Sequence, residues 1–402
     1  MFDAETALIL KAAVSEAVDS DKRLLDELRT EARKLGSNVS QIYPRVTTAI
    51  SLVSADGGDN FVRFDPFLIQ LVRVVDSSRN EHCLDVLTPS TNIHVLSRRQ
   101  FDDTGRPATP LGEMMATLKV KGLTQLSYMI RVENGRPTSP GWISAYRELV
   151  EWAVLLKIAR SKDISRDILL VKDGLLRSNV FAGGLFNKYR EELYDAIDHH
   201  RKRRRKVYVT GIAKKSKVLD RYNLAMMLEK VMNRKYPCYV RVPRDMESKA
   251  YLWPIWAGRE NNAGHNHSGS TGAGKARDAD SAGKSTNGDT HNNIVGGSMF
   301  FAKFGSLPAD PIWPVDVLIE QEDEASVVLG YLLSDARAGF PVPYYPMCLQ
   351  KAHEHAALAD LDWSFVQDFI IDAIRQIAGP EDWALDTFLM QNPSFLKEQY
   401  RR

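Results

Sequence analysis

Two aspartates carry the first chemical signal in this chain. Asp56 closes the run AISLVSA and stands before Gly57-Gly58, and Asp173 closes the run ILLVK and stands before Gly174. A carboxylate at a strand end, beside glycines that let a phosphate backbone approach, offers a hard oxygen ligand to a divalent ion. Taken singly, each reads more simply as an Asp-Gly turn residue. As a pair they say more, because adjacent strands of one sheet can bring residues 117 positions apart side by side. A third acidic source lies in the helical stretch 142–159, where Glu148 and Glu151 are three apart and therefore near one another on the helix surface. Glu151 is followed by WAVLLKIA, an apolar setting for a carboxylate. Its plain alternative is an i,i+4 ion pair with Arg147, worth only about 0.2–0.5 kcal/mol. Two aspartates and a glutamate from separate elements suit a two-metal hydrolysis of a phosphodiester. One Mg²⁺ or Mn²⁺ ion then activates water while the other stabilises the leaving oxygen.

The elements that must position these groups alternate along the chain. The first 36 residues have helical periodicity, closed by Gly36. From Val46 the pattern turns β-branched. TTAISLVSADGGDNFVRF followed by FLIQLVRVVDSS reads as a buried strand, a tight turn at Asp-Gly-Gly and a second strand. Residues 81–121 are mixed, with RRQFDDTGRPATP as a surface loop. Then follow the helix 142–159, the apolar run 168–176, a helix at 187–199, a strand running into a polar turn at 206–217, and helical spacing at 220–233, 346–361 and 363–378. Alternating strands and helices predict an α/β fold with a mixed or parallel sheet. The segment 257–298 is dominated by Gly, Asn, Ser, Ala, His and Asp. It buries too little apolar surface to offset its ordering entropy, and it reads as a disordered insertion within one domain, between the strand-like YLWPIW and MFFAKF.

Composition excludes several classes. The chain has 402 residues, 44% hydrophobic and 26% charged, enough to bury a large core. With 53 Lys and Arg against 51 Asp and Glu, the formal charge of +2 rules out a polycation, though not a local basic strip. Cys83, Cys238 and Cys348 form no CxxC pair, which argues against a disulfide framework or a structural zinc module. No apolar run approaches the roughly 20 residues of a membrane helix, and acids interrupt the N-terminus too early for a secretory signal. The expectation is a cytoplasmic protein without membrane contact. GSTGAGK at 269–275 has P-loop spacing, but Ala276 replaces the Ser or Thr that would hold magnesium, and neither strand nor helix flanks it. An intrinsic ATPase is therefore discarded. The strip HHRKRRRK at 199–206 packs six Lys and Arg into eight positions, more than a helix C-terminal dipole requires. Arg201, Arg203, Arg204 and Arg205 are read as phosphate contacts. No aromatics interleave with them, so stacking on single strands is not indicated there.

The order of motifs resembles the NurA family of nucleases. The match runs through ADGG at 55–58, RELVE at 147–151, LVKDGLL at 170–176, TGIAKKS at 210–216 and YPMCLQKAHEHA at 345–356. The resemblance implies an RNase H-like mixed sheet flanked by helices, with N- and C-terminal helical additions. The nuclease domain would comprise residues 46–256 and 299–362, with helical regions at 1–45 and 363–402. It implies hydrolysis of DNA with Mn²⁺ or Mg²⁺, two ions in all, with 5′→3′ exonuclease and single-strand endonuclease activity. It also implies a homodimer that works with a hexameric HerA-type translocase, in DNA end processing or anti-phage defence. Carried over by position, Asp56 and Asp173 would be metal ligands, with Glu151, or Glu148 in its place, and His353 completing the set. Tyr345 would stand beside the site, Lys214 would face the scissile phosphate, and Lys215 would contact DNA. Apart from the family, His353 could be a partly exposed helical residue, and Lys214 and Lys215 could be solvated. The rival reading is a catalytically silent DNA-binding or scaffold subunit, which would be expected to have lost one of the acids. None is lost.

Overall fold

The computed structural model describes residues 3–46, 50–64, 67–162, 166–252, 295–357 and 360–378. Helices α1 (Ala4–Ser20) and α2 (Lys22–Gly36) lead into a short strand β1 (Ser40–Gln41). No residue of α1 is buried, whereas α2 buries Ala32 and Leu35. A meander follows, made of β2 (Ile50–Phe64), β3 (Phe67–Asp76) and β4 (Glu81–Leu87). Three short helices, α3 (Ile93–Arg98), α4 (Pro110–Thr117) and α5 (Leu123–Leu126), and the ribbon β5 (Val132–Glu133) with β6 (Arg136–Pro137) connect it to the long helix α6 (Trp142–Arg160). The chain continues through β7 (Asp167–Asp173), α7 (Leu185–Lys202), β8 (Val207–Ile212), α8 (Lys217–Leu228), β9 (Cys238–Arg241) and α9 (Arg244–Leu252). After the segment 253–294 come β10 (Gly297–Lys303), β11 (Ile312–Leu318), α10 (Ala325–Ala336), α11 (Met347–Ala356) and α12 (Asp360–Ala378).

One sheet takes β1-β9-β10-β11-β8-β7-β2-β3-β4 in that order. Strands β2, β7 and β8 run parallel, and the remaining pairings are antiparallel. Its half β4-β3-β2-β7-β8, an antiparallel meander whose first strand is followed outward by two parallel strands, is the RNase H-like order. Strand alternation sorts the side chains to two faces. Leu52, Leu169 and Val171 join the core built with α10 and α11, where Val328, Leu329, Leu332 and Leu349 are buried. Val53 and Leu170 join the opposite core, filled by Trp142, Tyr146 and Trp152 of α6 and by Phe186 and Tyr189 of α7. A third core packs α2, α8 and α9 on β9 and β10.

Three sequence expectations need correction. Asp56-Gly57-Gly58 is no turn: these residues pair with Val75, Val74 and Arg73, and β2 continues to Phe64. The glycine serves helix packing instead, as shown below. Tyr251 and Leu252, read as strand-like, end helix α9. Val295 to Ser298, read as the end of the insertion, are buried, with Val295 bridged to Arg177 and Gly297 starting β10. The rest of the insertion lies outside the described residues, as do the P-loop-like motif and the chain after Ala378. Among the described residues, no helix is long and apolar enough to cross a membrane.

Candidate active site

The two aspartates meet because of strand register. The parallel pairing of β2 with β7 runs to Ala55↔Lys172, so the next residue on each strand is Asp56 and Asp173. Neighbouring strands lie about 4.8 Å apart, and equal parity sends both carboxylates to the α11 face. Asp56 is buried, and its Oδ2 lies 2.7 Å from His353 Nδ1. His353 stands on α11 with its side chain mostly exposed. That helix is fixed by the strand that carries Asp56, since Ser54 Oγ donates to the Cys348 carbonyl at 2.7 Å. Asp173 accepts a hydrogen bond from the Tyr345 hydroxyl at 3.0 Å and lies 3.8 Å from Lys214 Nζ. The Lys214 ammonium also sits 5.3 Å from the Tyr345 ring centroid. Burial, then the negative charges of Asp173 and Asp56, hold the Tyr345 hydroxyl far above its ordinary pKa.

The glutamates come from α6, on the other face. Gly57 admits the helix: a Cβ there would lie 2.6 Å from Glu151 Oε1 and 2.7 Å from Arg147 Cγ. Glu151 Oε2 is 3.4 Å from Lys172 Nζ, and Glu151 Oε1 is 3.7 Å from Arg147 Nε, the ion pair the spacing suggested. Burial pushes the Glu151 carboxyl up to about 7; Lys172 and Arg147 oppose that rise, while the charges on Asp56 and Glu148 add to it. Glu148 is occupied elsewhere. It accepts from Ser178 Oγ at 2.7 Å and from Trp152 Nε1 at 3.3 Å, tying α6 to the loop after β7.

Sequence reading missed Lys172. It is buried beside Glu151 and donates to the Asp173 carbonyl at 2.8 Å. The available signal was a lysine closing an otherwise apolar strand one position before the aspartate. Ser54 was missed as well, because a serine in a strand carries no mark of the helix it will anchor.

Among the described residues, no three His, Cys, Asp or Glu side chains converge as a ligand group. The two-faced sheet keeps Glu151 apart from Asp56, Asp173 and His353, and those three, although they share one face, do not converge as a group either. By chemistry the donor set fits Mn²⁺ or Mg²⁺, being carboxylate oxygens with one imidazole. The space at Gly57 that a Cβ would fill is what lets the third carboxylate come this near.

The basic strip is not part of this cluster. It covers the end of α7 and the turn before β8, whereas Asp173 stands at the opposite end of the parallel β7. A seven-residue strand spans about 20 Å. Arg201 and Lys202 both pair with Asp198, and His200 is buried with Nε2 3.0 Å from the Ala159 carbonyl. Lys215, by contrast, is exposed just beyond β8, on the Asp173 side.

No family model matches the chain, and no curated protein matches it. Solved structures do resemble it. The crystal structure of the NurA nuclease from Sulfolobus solfataricus has a TM-score of 0.39 at 10% identity, covering 91% of this chain and 97% of that one. A crystal structure of NurA with manganese has a TM-score of 0.32 at 11% identity, covering 90% and 98%. A crystal structure of NurA bound to dAMP and manganese has a TM-score of 0.31 at 10% identity, covering 88% and 94%. A likeness this distant assigns no residue a role; it is a structural resemblance to NurA nucleases over about 90% of the chain.

Proposed function

We propose that this chain is a metal-dependent deoxyribonuclease. The observation that carries the reading is the position of Asp56 and Asp173 on adjacent parallel strands, with His353 beside Asp56 and Tyr345 and Lys214 beside Asp173. Asp56, Asp173 and His353 would hold Mn²⁺ or Mg²⁺, and Glu151 would serve a second ion. When bound, such ions supply an activated water and stabilise the leaving oxygen. Tyr345 fixes the orientation of Asp173 by donating to it, and Lys214, half exposed, offers its ammonium to the scissile phosphate. Glu148 holds α6 in place and is not assigned as a ligand. Lys215 adds a cation beside the site. Arg201, Arg203, Arg204 and Arg205 form a remote phosphate contact at the far end of the sheet.

In this reading the substrate is DNA, cut as a 5′→3′ exonuclease and single-strand endonuclease by a homodimer in the cytoplasm. Motion along DNA would come from a HerA-type hexameric ATPase, and the setting would be end resection or antiviral defence. One observation favours the rival, a silent DNA-binding or scaffold subunit: Lys172 and Arg147 already compensate Glu151. The deciding experiment incubates end-labelled duplex and single-stranded DNA with the protein and Mn²⁺, Mg²⁺ or EDTA. Shortening of the label with Mn²⁺, stopped by EDTA, is expected. Binding without cleavage under either ion selects the scaffold.

A further inference from the structure

A cleft on the α6 side of the sheet is a cavity that the proposed chemistry leaves unused. It holds about 260 Å³ and opens between the first two turns of α6, Met129 and the loop after β7. Lys172 lines it too, and Lys172 Nζ lies 2.8 Å from the Asp173 carbonyl, so the cleft begins one residue from a proposed metal ligand. Its lining divides by chemistry. Met129, Ala145 and Val180 are apolar, the last two buried and the first packed against the same core. Ser144 and Asn179 are exposed at its edge, a hydroxyl and an amide that both donate and accept. The charged groups cancel, Arg147 and Lys172 standing against Glu148 and Glu151, with Glu151 near both cations. That balance gives no net pull on a phosphate. The volume falls below the about 300–1,000 Å³ of sites for drug-sized ligands. What fits is one small ring, neutral, apolar on its faces and polar at its edge, which is the chemistry of a nucleobase.

We infer that this cleft holds one unstacked base of a single DNA strand, at or next to the phosphate being cut, and so gives the site its preference for single strands. This rests on the nuclease reading above. A duplex keeps its bases paired and stacked, and turning one out costs a few kcal/mol that a single strand does not spend. Asn179 and Ser144 meet the edge of the base. The Arg147 guanidinium offers a plane on which an unstacked base can rest. These are binding contacts that hold the strand and touch no reacting atom.

The test is binding of the full chain to DNA in EDTA, where nothing is cut and the readout is independent of nuclease activity. A short single strand carries one 2-aminopurine, a base whose fluorescence rises when it leaves the stack, placed at each position in turn. Wild type is expected to raise that fluorescence on binding. Ser144→Leu narrows the cleft from its exposed side. It should abolish the rise and weaken single-strand binding about tenfold, within the range a held base is worth, while duplex binding stays unchanged. Asn179→Ala, at an exposed loop residue, should weaken single-strand binding in the same sense, and it carries the test if Ser144→Leu does not fold. An abasic site at the position of largest rise should reproduce the loss in wild type, and Ser144→Leu should add nothing further to it. No rise at any position, a rise that survives Ser144→Leu, or an equal loss on duplex overturns the inference and leaves the nuclease reading to its own assay. Absence of DNA binding by wild type overturns both.

Discussion

Gly57→Ala tests the closest approach in the site. Its new methyl would meet three α6 side-chain atoms inside 3.0 Å: Glu151 Oε1 at 2.6 Å, Arg147 Cγ at 2.7 Å and Arg147 Cδ at 2.8 Å. No backbone atom is among them, so the helix need not move as a whole. Arg147 is partly exposed and can swing outward, but Glu151 is held between Lys172 and β2. Overpacking of this kind costs about 1–3 kcal/mol. Alanine in extended backbone returns about 0.4–1 kcal/mol by restricting the unfolded chain. A net loss of about 1–2 kcal/mol is therefore expected. Urea unfolding followed by circular dichroism would read it as a lower midpoint at unchanged slope. Adding Glu151→Ala removes one of the clashing groups, so the double variant should show a coupling of at least about 0.5 kcal/mol. If Gly57→Ala is as stable as wild type, α6 does not press on β2 here, and Glu151 cannot be near Asp56 for the reason given.

Other outcomes follow from single contacts. The Glu151 carboxyl is raised from 4.5 to about 7, so the folded state favours its protonated form. Its contribution to stability without metal is full below about 4.5 and fades as pH rises through about 7. The stability of wild type relative to Glu151→Gln should fall across that window, and pH-independence of the difference would refute the burial argument. Arg177 binds Asp316 through two hydrogen bonds at 2.8 and 2.9 Å and pairs with Glu247 at 2.7 Å, both acids being fully buried. Arg177→Met leaves Asp316 without that cation and Glu247 with Arg244, and should cost about 3–5 kcal/mol in the same unfolding assay; a loss below 1 kcal/mol, about the size of a surface effect, would contradict this. Replacing Arg201, Arg203, Arg204 and Arg205 with Gln should flatten the salt dependence of duplex binding by about 0.9 per lost phosphate contact. Single-turnover cleavage at saturating DNA should stay near wild type, because the strip is remote from Asp173. An unchanged salt slope would make the strip a solvated helix end.

The parts of the fold that sequence made legible are those governed by local pattern. The run ending in Asp173 is β7, the helix expected at 142–159 is Trp142–Arg160, and VYVTGI is β8. Boundaries drifted where a side-chain cap decides them. Ser216 Oγ accepts from the Val218 and Leu219 amides and starts α8 at Lys217, not at the expected residue 220. Asp-Gly-Gly misled because glycine has two uses, turning the chain and admitting a neighbour; only the tertiary structure shows the second. The short strands β1 and β9 escaped because strands of two and four residues carry no period. For the candidate site, the two aspartates were visible, although Asp173 ends its strand and Asp56 lies inside one, whereas the choice between Glu148 and Glu151 was not. Three residues apart on one helix, they differ only in what each meets, Ser178 and Trp152 for one and Gly57 and Lys172 for the other.

The central claim is that Asp56, Asp173 and His353 form the metal-holding face of a nuclease. Crystals grown with Mn²⁺ and measured above its absorption edge test this most directly, since anomalous difference density marks the ion without reference to activity. A peak is expected on the α11 face within ligand distance of the Asp56 and Asp173 carboxylates, lost in Asp56→Asn. Density at Glu148 alone, or none near Asp56 at a Mn²⁺ concentration that supports cleavage, would contradict it.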